Sequence, residues 1–318
     1  MTHNGTLPRF FIVGTGRCGT TLLRKLLVQH PDVYIPQETH WLPILANYFG
    51  MQRVPHTEIF RVVENTYMAK GKTALERILK ENALEPEDFR QDLFSRFGAS
   101  AGTVPDFMAV FYGLLAERNG ASICGDKTPD YGFCMTMLQQ FWPQAKFIHI
   151  FRDGRDVALS MSKVLSFRYL VAWEINHWFG IAYKKQYEQK QALVVRSPAP
   201  SKSWFAHWRK PIPLQQPELP LERFYELWRS RLLRIRDEAH RLSRDCYQEI
   251  RYADLLSNPI PLLRHISQFL NLPERGNWMK EASTMINAEN VQKNLDTPDY
   301  VRLTSQYASD LTALGFEP

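Results

Sequence analysis

The sequence has few cysteines and no long hydrophobic run. Its four cysteines, Cys18, Cys124, Cys134 and Cys246, form neither a CxxC pair nor a zinc-type spacing, so a disulfide framework or a thiolate metal site is not indicated. No apolar stretch reaches the roughly 18–20 residues that cross a bilayer, and the first ten residues lack a signal-peptide pattern. We therefore expect a reduced, cytoplasmic protein without a membrane span, although a fragment of a membrane-anchored enzyme would have the same features.

The bulk composition sets only broad limits on function. The 318 residues are 44% hydrophobic and 23% charged, which is ordinary for a globular protein with a sizeable core. The formal net charge of +6 suits an anionic ligand, and nucleotides, acidic glycans and nucleic acid all qualify. Nucleic-acid binding has no support beyond this charge, because no recognised binding module is present. We expect no nucleic-acid partner, and the oligomeric state is not predictable.

A glycine loop near the start lacks the lysine of an ATP-binding loop. Residues 11–23 read FIVGTGRCGTTLL, and from Gly14 the spacing is G-x-x-x-x-G-T-T, where a Walker A loop has G-x-x-x-x-G-K-[ST]. Thr20 takes the lysine position, and Arg17 lies inside the loop. An apolar run predicts a strand at Phe10–Val13, and helical spacing of leucines predicts a helix at Thr20–Gln29. A strand, a glycine loop and a helix in this order are typical of a phosphate-binding site.

The rest of the chain predicts one α/β domain over residues 1–318, with a central parallel β-sheet flanked by helices. Residues from about 53 to 120 are predicted to be mostly helical with polar linkers, and Leu221–Leu242 is predicted to be a long amphipathic helix. A tryptophan- and proline-rich stretch at about 166–222 is predicted to be an insertion that covers a pocket or a surface. Further strands are predicted at Val33–Ile35, Ser122–Cys124, Lys146–Phe151 and Tyr247–Tyr252.

Polar residues fall at or just past the ends of the predicted strands. In a parallel sheet these ends meet at one edge, where ligands bind. Arg152 and Ser160 in RDGRDVALS are predicted to meet as a second phosphate site, because the helix that carries Ser160 doubles back beside the strand. Arg155 and Asp156 are predicted to be a capping and surface pair. The residues at the shared edge are Arg17, Glu38, Lys127, Arg152 and Tyr252.

These motifs resemble those of sulfotransferases that use 3′-phosphoadenosine 5′-phosphosulfate (PAPS). GTGRCGTTLL resembles their 5′-phosphosulfate loop, and RDGRDVALS resembles their 3′-phosphate motif. The resemblance is closest to the tyrosylprotein-sulfotransferase-like branch and its bacterial relatives, through HPDVYIPQETHWLP, GDKTPDYG and EIRYADLLSNP in the same order. It covers residues 10–165 and 221–318 and implies a P-loop NTPase-like, three-layer sulfotransferase fold. PAPS has no γ-phosphate, which accounts for the missing lysine.

The resemblance also implies roles for individual residues. Glu38 would be the general base, Lys127 would neutralise the bridging oxygen of PAPS, and Arg17 would stabilise the transferred group. His40 is an alternative base, although Glu38 is at the motif position. No metal is implied, because a sulfuryl group carries less negative charge than a phosphoryl group. The residues implied to bind the nucleotide are Arg17, Cys18 (where a serine is common in the family), Gly19, Thr20, Thr21, Arg152, Ser160, Tyr252 and Lys293.

Two other functions remain open at this point. A P-loop kinase or other NTPase with a degenerate loop would need magnesium ligands, for which Asp126 and Asp153 are candidates. A nucleotide-binding protein without turnover would keep the fold and lose the chemistry. For a sulfotransferase, the acceptor could be a glycan, a peptide tyrosine, a lipid or a small molecule with a hydroxyl group.

Overall fold

A computed structural model of the chain describes residues 8–66, 73–175, 219–286 and 294–317. Lys293 and most of the predicted insertion, residues 176–218, lie outside the described residues. The strands of the main sheet are β1 (Phe10–Val13), β2 (Val33–Tyr34), β5 (Ile123–Lys127), β6 (Lys146–Phe151) and β7 (Tyr247–Arg251). Their spatial order is β2-β5-β1-β6-β7, and each neighbouring pair is parallel.

Helices make up most of the remaining described chain. A small antiparallel pair, β3 (Val54–Pro55) and β4 (Ala101–Gly102), lies within the predicted helical region. Short 3₁₀ helices occupy Pro129–Phe133 and Arg244–Cys246. The α-helices are α1 (Thr20–Leu27), α2 (Leu42–Phe49), α3 (His56–Glu64), α4 (Ala74–Glu81), α5 (Pro86–Ser95), α6 (Val104–Arg118), α7 (Met135–Phe141), α8 (Gly154–Met161), α9 (Leu165–Ile175), α10 (Leu221–His240), α11 (Tyr252–Ser257), α12 (Pro259–Leu270), α13 (Trp278–Thr284) and α14 (Pro298–Ala313).

The central strand β1 is buried on both faces. Because side chains alternate along a strand, Phe11 and Val13 pack into one core with α2–α7. Phe10 and Ile12 pack into a second core, which includes leucines of α1 and α12. A sheet with apolar residues on both faces must be covered on both, and this explains the continuous apolar run FFIV. The predicted α/β class with a central parallel sheet is confirmed.

Two predicted strands have the observed bounds, and one is longer than predicted. β1 and β6 occupy the predicted residues. β5 is Ile123–Lys127 rather than Ser122–Cys124, because Gly125 and Asp126 continue the pairing with β1. Gly125 is required there, since a Cβ on it would lie 2.9 Å from Cδ2 of the Phe10 ring. The extension places Lys127 at the last position of the strand, at the carboxyl edge of the sheet.

Candidate active site

The carboxyl ends of the main strands bring the predicted site residues to one edge of the sheet. The glycine loop follows β1, and Glu38 follows β2 after a short turn. Lys127 ends β5, Arg152 follows β6 and Tyr252 follows β7. Each strand of the main sheet therefore contributes to the same crevice, as expected for an open parallel sheet.

Two glycines of the loop lie where a side chain would be strained and crowded. Gly16 and Gly19 have φ values of 85° and 107°, in the left-handed region. A Cβ on Gly19 would lie 2.8 Å from Cε2 of Tyr252, and one on Gly16 would lie 2.7 Å from Cζ of Phe167. Thr20 begins α1 directly after the loop, so the first backbone amides of that helix face the crevice edge. This arrangement suits an anion.

The loop side chains differ in what they can offer a ligand. Arg17 and Thr21 are exposed, whereas Thr20 is buried. Cys18 is completely buried, and burial raises the pKa of its thiol. The thiol faces into the loop toward Thr15, so Cys18 can reach a ligand only through its backbone amide. The serine-to-cysteine difference in this loop therefore does not remove a hydroxyl from the crevice.

Arg17 directly contacts Ser160 of the second predicted phosphate site. Its Nε donates a hydrogen bond to Ser160 Oγ at 3.0 Å. Arg17 has a φ of 56°, which is unusual for a residue with a side chain and indicates a conformation imposed by its surroundings. The two anion sites predicted from separate motifs are therefore neighbours in the fold.

Arg152 is held between an acidic side chain and an aromatic ring. Its Nη2 lies 3.1 Å from Oδ2 of Asp156, and its guanidinium carbon lies 4.8 Å from the centre of the Tyr252 ring. Asn294 donates to the other oxygen of Asp156 at 2.7 Å. Since Tyr252 also covers Gly19, one ring connects the loop with the arginine of the second motif.

Arg155 and Asp156 are not the capping and surface pair that the sequence predicted. Arg155 is buried, and its Nη2 lies 2.6 Å from Oδ2 of Asp153. It also donates to Oγ1 of Thr304 at 2.9 Å and to the carbonyl of Glu317 at 2.6 Å. Asp153, rather than Asp156, caps α8 by accepting from the Arg155 amide at 2.8 Å. Arg155 thus points away from the crevice and fastens α14 to the sheet.

Glu38 and Lys127 form an ion pair at the crevice. Lys127 Nζ donates to Glu38 Oε1 at 2.8 Å, and Nε2 of His40 lies 3.6 Å from the other carboxylate oxygen. Burial alone would raise the pKa of Glu38, but hydrogen bonds with His40 and Lys127 outweigh it and lower the pKa to about 2. Glu38 is therefore ionised at neutral pH and able to accept a proton.

Two further contributors to this pair were not predicted. Arg77, on α4, donates from Nη2 to the backbone carbonyl of Glu38 at 2.9 Å. Asp126 is fully buried next to Lys127 and accepts from the Thr39 hydroxyl at 2.8 Å. The sequence signal for Asp126 is its place directly before Lys127 in GDKT, because neighbouring residues of one strand lie on opposite faces. No comparable signal exists for Arg77, which lies on a separate helix.

The two candidate magnesium ligands are engaged by protein donors. Asp126 accepts hydrogen bonds from hydroxyl groups within the core, and Asp153 accepts from the side chain and the amide of Arg155. Among the described residues, no group of three or more His, Cys, Asp or Glu side chains is placed to hold a metal ion. Within the same ranges, no helix combines the length and hydropathy needed to cross a membrane.

The curated relatives found by sequence comparison match about half of this chain. NoeE, a nodulation protein of Sinorhizobium fredii, is 27% identical over 157 residues, which cover 48% of this chain and 30% of the relative. Protein-tyrosine sulfotransferase 1 of Danio rerio is 28% identical over 162 residues, which cover 50% of this chain and 36% of the relative. The match thus spans about a third of the length of these curated relatives.

Structural comparison and a family model complete this picture. The sulfotransferase domain of the Synechococcus PCC 7002 olefin synthase has a TM-score of 0.49 and 19% identity, covering 97% of both chains. The sulfotransferase domain from the curacin biosynthetic pathway has a TM-score of 0.49 and 18% identity, covering 96% of this chain and 99% of that one. The model described as the sulfotransferase family matches residues 8–199, which is more than half of the sequence. The chain belongs to the sulfotransferase family.

Proposed function

We propose that the protein transfers a sulfuryl group from PAPS to a hydroxyl group of an acceptor, without a metal ion. The observation that carries this proposal is the Glu38–Lys127 ion pair at 2.8 Å, on the same sheet edge as the glycine loop. It combines a carboxylate that can take a proton with a cation that can neutralise a leaving group. This combination favours an enzyme over a protein that only binds nucleotides, because nucleotide binding does not require a proton acceptor.

The proposed donor fits the two neighbouring anion sites. The loop amides, Arg17 and the hydroxyl groups of Thr20 and Thr21 would hold the 5′-phosphosulfate. Arg152 and Ser160 would hold the 3′-phosphate, with Tyr252 beside the nucleotide. The Arg17–Ser160 contact of 3.0 Å supports this assignment, because a nucleotide with groups on its 3′ and 5′ oxygens needs two anion sites close together. Lys293 stays a predicted contact of the same nucleotide.

The proposed transfer is a single in-line displacement. The acceptor oxygen forms a bond to sulfur while the bond between sulfur and the bridging oxygen of the 5′-phosphate breaks. Glu38 takes the proton of the acceptor hydroxyl, and Lys127 donates a hydrogen bond to the departing phosphate oxygen. Arg17 compensates the negative charge on the equatorial oxygens of the sulfuryl group. Because the transition state of such a transfer is loose, positioning and charge supply most of the rate enhancement.

The acceptor is proposed only as a hydroxyl-bearing class, namely a glycan, a peptide tyrosine, a lipid or a small molecule. A relative named for protein tyrosine supports this class, but the shared region is about a third of its length. All four cysteines are free, which supports the further proposal of a reducing, cytoplasmic location.

Calorimetry with 3′-phosphoadenosine 5′-phosphate (PAP) tests the donor without knowledge of the acceptor. We expect metal-free binding in EDTA that is lost when ADP, which lacks the 3′-phosphate, replaces PAP. A requirement for magnesium and a preference for ATP would refute the PAPS proposal and favour a kinase or another NTPase.

Substitution of Glu38 tests the chemistry separately from binding. Glu38→Gln should leave PAP affinity unchanged and lower kcat by a factor on the order of 10²–10⁴, because the base is lost. Glu81→Gln is the matched control, since Glu81 also pairs with a cation, Arg24, at 3.0 Å and its side chain is 31% exposed against 30% for Glu38. Full activity of Glu38→Gln would show that another group, such as His40, takes the proton.

A further inference from the structure

A buried carboxylate lies directly behind the Glu38–Lys127 pair. Asp126 has no solvent exposure, and it precedes Lys127 in β5. Residues from the turn after β2, from α6 and from the turn after β5 surround it. We call this group the Asp126 cluster, and its members are Thr39, Tyr112, Asp126, Thr128 and Tyr131.

Three hydroxyl groups donate to the Asp126 carboxylate. Tyr112 donates to Oδ2 at 2.6 Å, and Thr39 donates to the same oxygen at 2.8 Å. Thr128 donates to Oδ1 at 2.8 Å. Burial raises the pKa of Asp126, and these hydrogen bonds act in the opposite direction. A carboxylate that accepts from three donors is matched to its buried surroundings.

The remaining hydrogen bonds of the cluster have one consistent direction. Since the Thr39 hydroxyl donates to Asp126, the Tyr131 hydroxyl donates to Thr39 Oγ1 at 2.6 Å. The Tyr131 oxygen in turn accepts from the amide of Leu42 at 3.2 Å. Thr128 Oγ1 accepts from the amide of Thr39 at 3.0 Å. Each hydroxyl group therefore donates one hydrogen bond, and the donors and acceptors of the cluster have one consistent assignment.

The cluster joins the two chain segments that carry the ion pair. Thr39 directly follows Glu38, while Asp126 and Thr128 are the neighbours of Lys127 on both sides. The Thr39–Thr128 bond is a backbone-to-side-chain link between the two turns, and both threonines converge on Asp126. Glu38 follows β2 and Lys127 ends β5, so their separation depends on how the segments after these two strands are fastened.

We propose that Asp126 is a positioning residue that sets the geometry of the Glu38–Lys127 pair through Thr39 and Thr128. The proposal rests on the function proposed above, in which that pair performs the proton transfer and the leaving-group stabilisation. A displacement of about 1 Å in such a pair can lower a rate by about 10²-fold. Asp126 touches neither the donor nor the acceptor in this scheme and acts only through the two threonines.

Tyr112 provides a control that separates positioning of the ion pair from a merely structural role of the cluster. Tyr112 donates to the same Asp126 oxygen as Thr39, but it lies on α6, which carries none of the proposed site residues. Tyr112→Phe and Thr39→Val each remove one hydroxyl donor from Asp126, and Thr39→Val also removes the acceptor of the Tyr131 hydroxyl, so both should lower the melting temperature and Thr39→Val should lower it more. Thr128→Val removes a donor to Asp126 and the acceptor of the Thr39 amide. Thr39→Ser keeps the hydroxyl and serves as the conservative rescue.

The experiment measures kcat, the KM for PAPS, the affinity for PAP and the melting temperature of these variants. The acceptor is the one with the highest rate in a panel of phenols, tyrosine peptides and oligosaccharides. We expect Thr39→Val and Thr128→Val to lower kcat roughly 10- to 100-fold, with PAP affinity unchanged. Tyr112→Phe and Thr39→Ser should stay within about threefold of the unsubstituted protein. Equal losses of kcat in Thr39→Val and Tyr112→Phe would overturn the proposal, as would unchanged kcat in Thr39→Val.

Crystal structures of Thr39→Val and Tyr112→Phe separate this inference from the proposed function. If the unsubstituted protein transfers a sulfuryl group to no acceptor in the panel, the proposed function fails. The distance between Lys127 Nζ and Glu38 Oε1 in the two variants still tests whether the cluster positions the pair. That distance is 2.8 Å in the unsubstituted chain. Lengthening in Thr39→Val alone supports positioning by the cluster. An unchanged distance in both variants, or the same change in both, overturns it.

Discussion

Gly19→Ala should weaken donor binding while leaving the protein folded. Gly19 has a φ of 107°, and its Cα faces the ring of Tyr252. A methyl group at this position would lie 2.8 Å from Cε2 of that ring, where carbon atoms normally stay about 3.5–4.0 Å apart. The ring must therefore move by about 1 Å. Because the Arg152 guanidinium lies 4.8 Å from the centre of the same ring, its proposed phosphate contact moves as well.

The expected effect of Gly19→Ala has two separate parts, one on stability and one on PAP binding. An L-residue with left-handed backbone angles costs about 1–2 kcal/mol, which lowers the free energy of unfolding. Loss of a hydrogen bond to a charged phosphate costs about 1.5–3 kcal/mol, which corresponds to a roughly 10- to 100-fold rise in the Kd for PAP. The measured Kd reports only the lost hydrogen bond, since the free and the bound protein both carry the backbone strain.

Calorimetric titration with PAP and thermal unfolding measure the two parts. Gly120→Ala is the control, because Gly120 has a φ of 68° and a Cβ added to it would meet no atom within 4 Å. This variant therefore has the backbone strain without a steric contact. We expect Gly120→Ala to lower stability and to leave the Kd unchanged. A folded Gly19→Ala protein that binds PAP as tightly as the unsubstituted chain would refute the argument that Tyr252 and Arg152 form one binding unit with the loop.

Three further perturbations test the site and its support. Ser160→Ala should raise the Kd for PAP by a factor of about 2–10 in calorimetry, whereas Ser162→Ala, at the C-cap of the same helix, should not. Arg155→Ala should lower the free energy of unfolding by roughly 3–5 kcal/mol in denaturant titrations, against less than about 1 kcal/mol for the exposed Arg302→Ala. Burial would raise the pKa of Glu249, but hydrogen bonds from a histidine and an arginine lower it to about 2, below its ordinary 4.5. The ionised Glu249 therefore stabilises the fold by on the order of 2 kcal/mol above pH 4.5, and this stabilisation is lost as the pH falls toward 2. The difference in free energy of unfolding between the unsubstituted protein and Glu249→Gln should shrink over that range. A difference independent of pH would contradict this.

The strands that sequence reasoning located correctly are those whose local pattern matches their surroundings. β1 is a continuous apolar run, and β6 is apolar except for Lys146 and His149; they end before a glycine and an arginine respectively, and both are buried on two faces. β5 was under-predicted because Gly125 and Asp126 are residues that favour turns. They belong to a strand only because the Phe10 ring covers the glycine and three hydroxyl groups satisfy the aspartate. Those partners are distant in sequence and leave no local signal.

The same distinction applies to the site. Residues at strand ends could be assigned to one crevice because parallel topology alone brings them there. The burial of the second arginine in RDGRD, Arg155, could not be predicted, since it depends on Thr304 and the Glu317 carbonyl, which are distant along the chain. The Asp126 cluster was missed for a similar reason, because its members come from separate elements and show no periodicity.

The position of the lysine outside the glycine loop has a consequence for the proposed reaction. In a Walker loop the lysine and the phosphate-binding amides belong to one segment, whereas here the cation nearest the base, Lys127, lies on β5 and pairs with Glu38 at 2.8 Å. That pairing, with His40, keeps the pKa of Glu38 at about 2, which makes the carboxylate a weak base in the free enzyme. When Lys127 turns to the departing phosphate oxygen, Glu38 loses part of this stabilisation and its pKa rises. In the proposed transfer, the base would gain strength as the leaving group is neutralised, and one lysine would couple proton removal to bond cleavage.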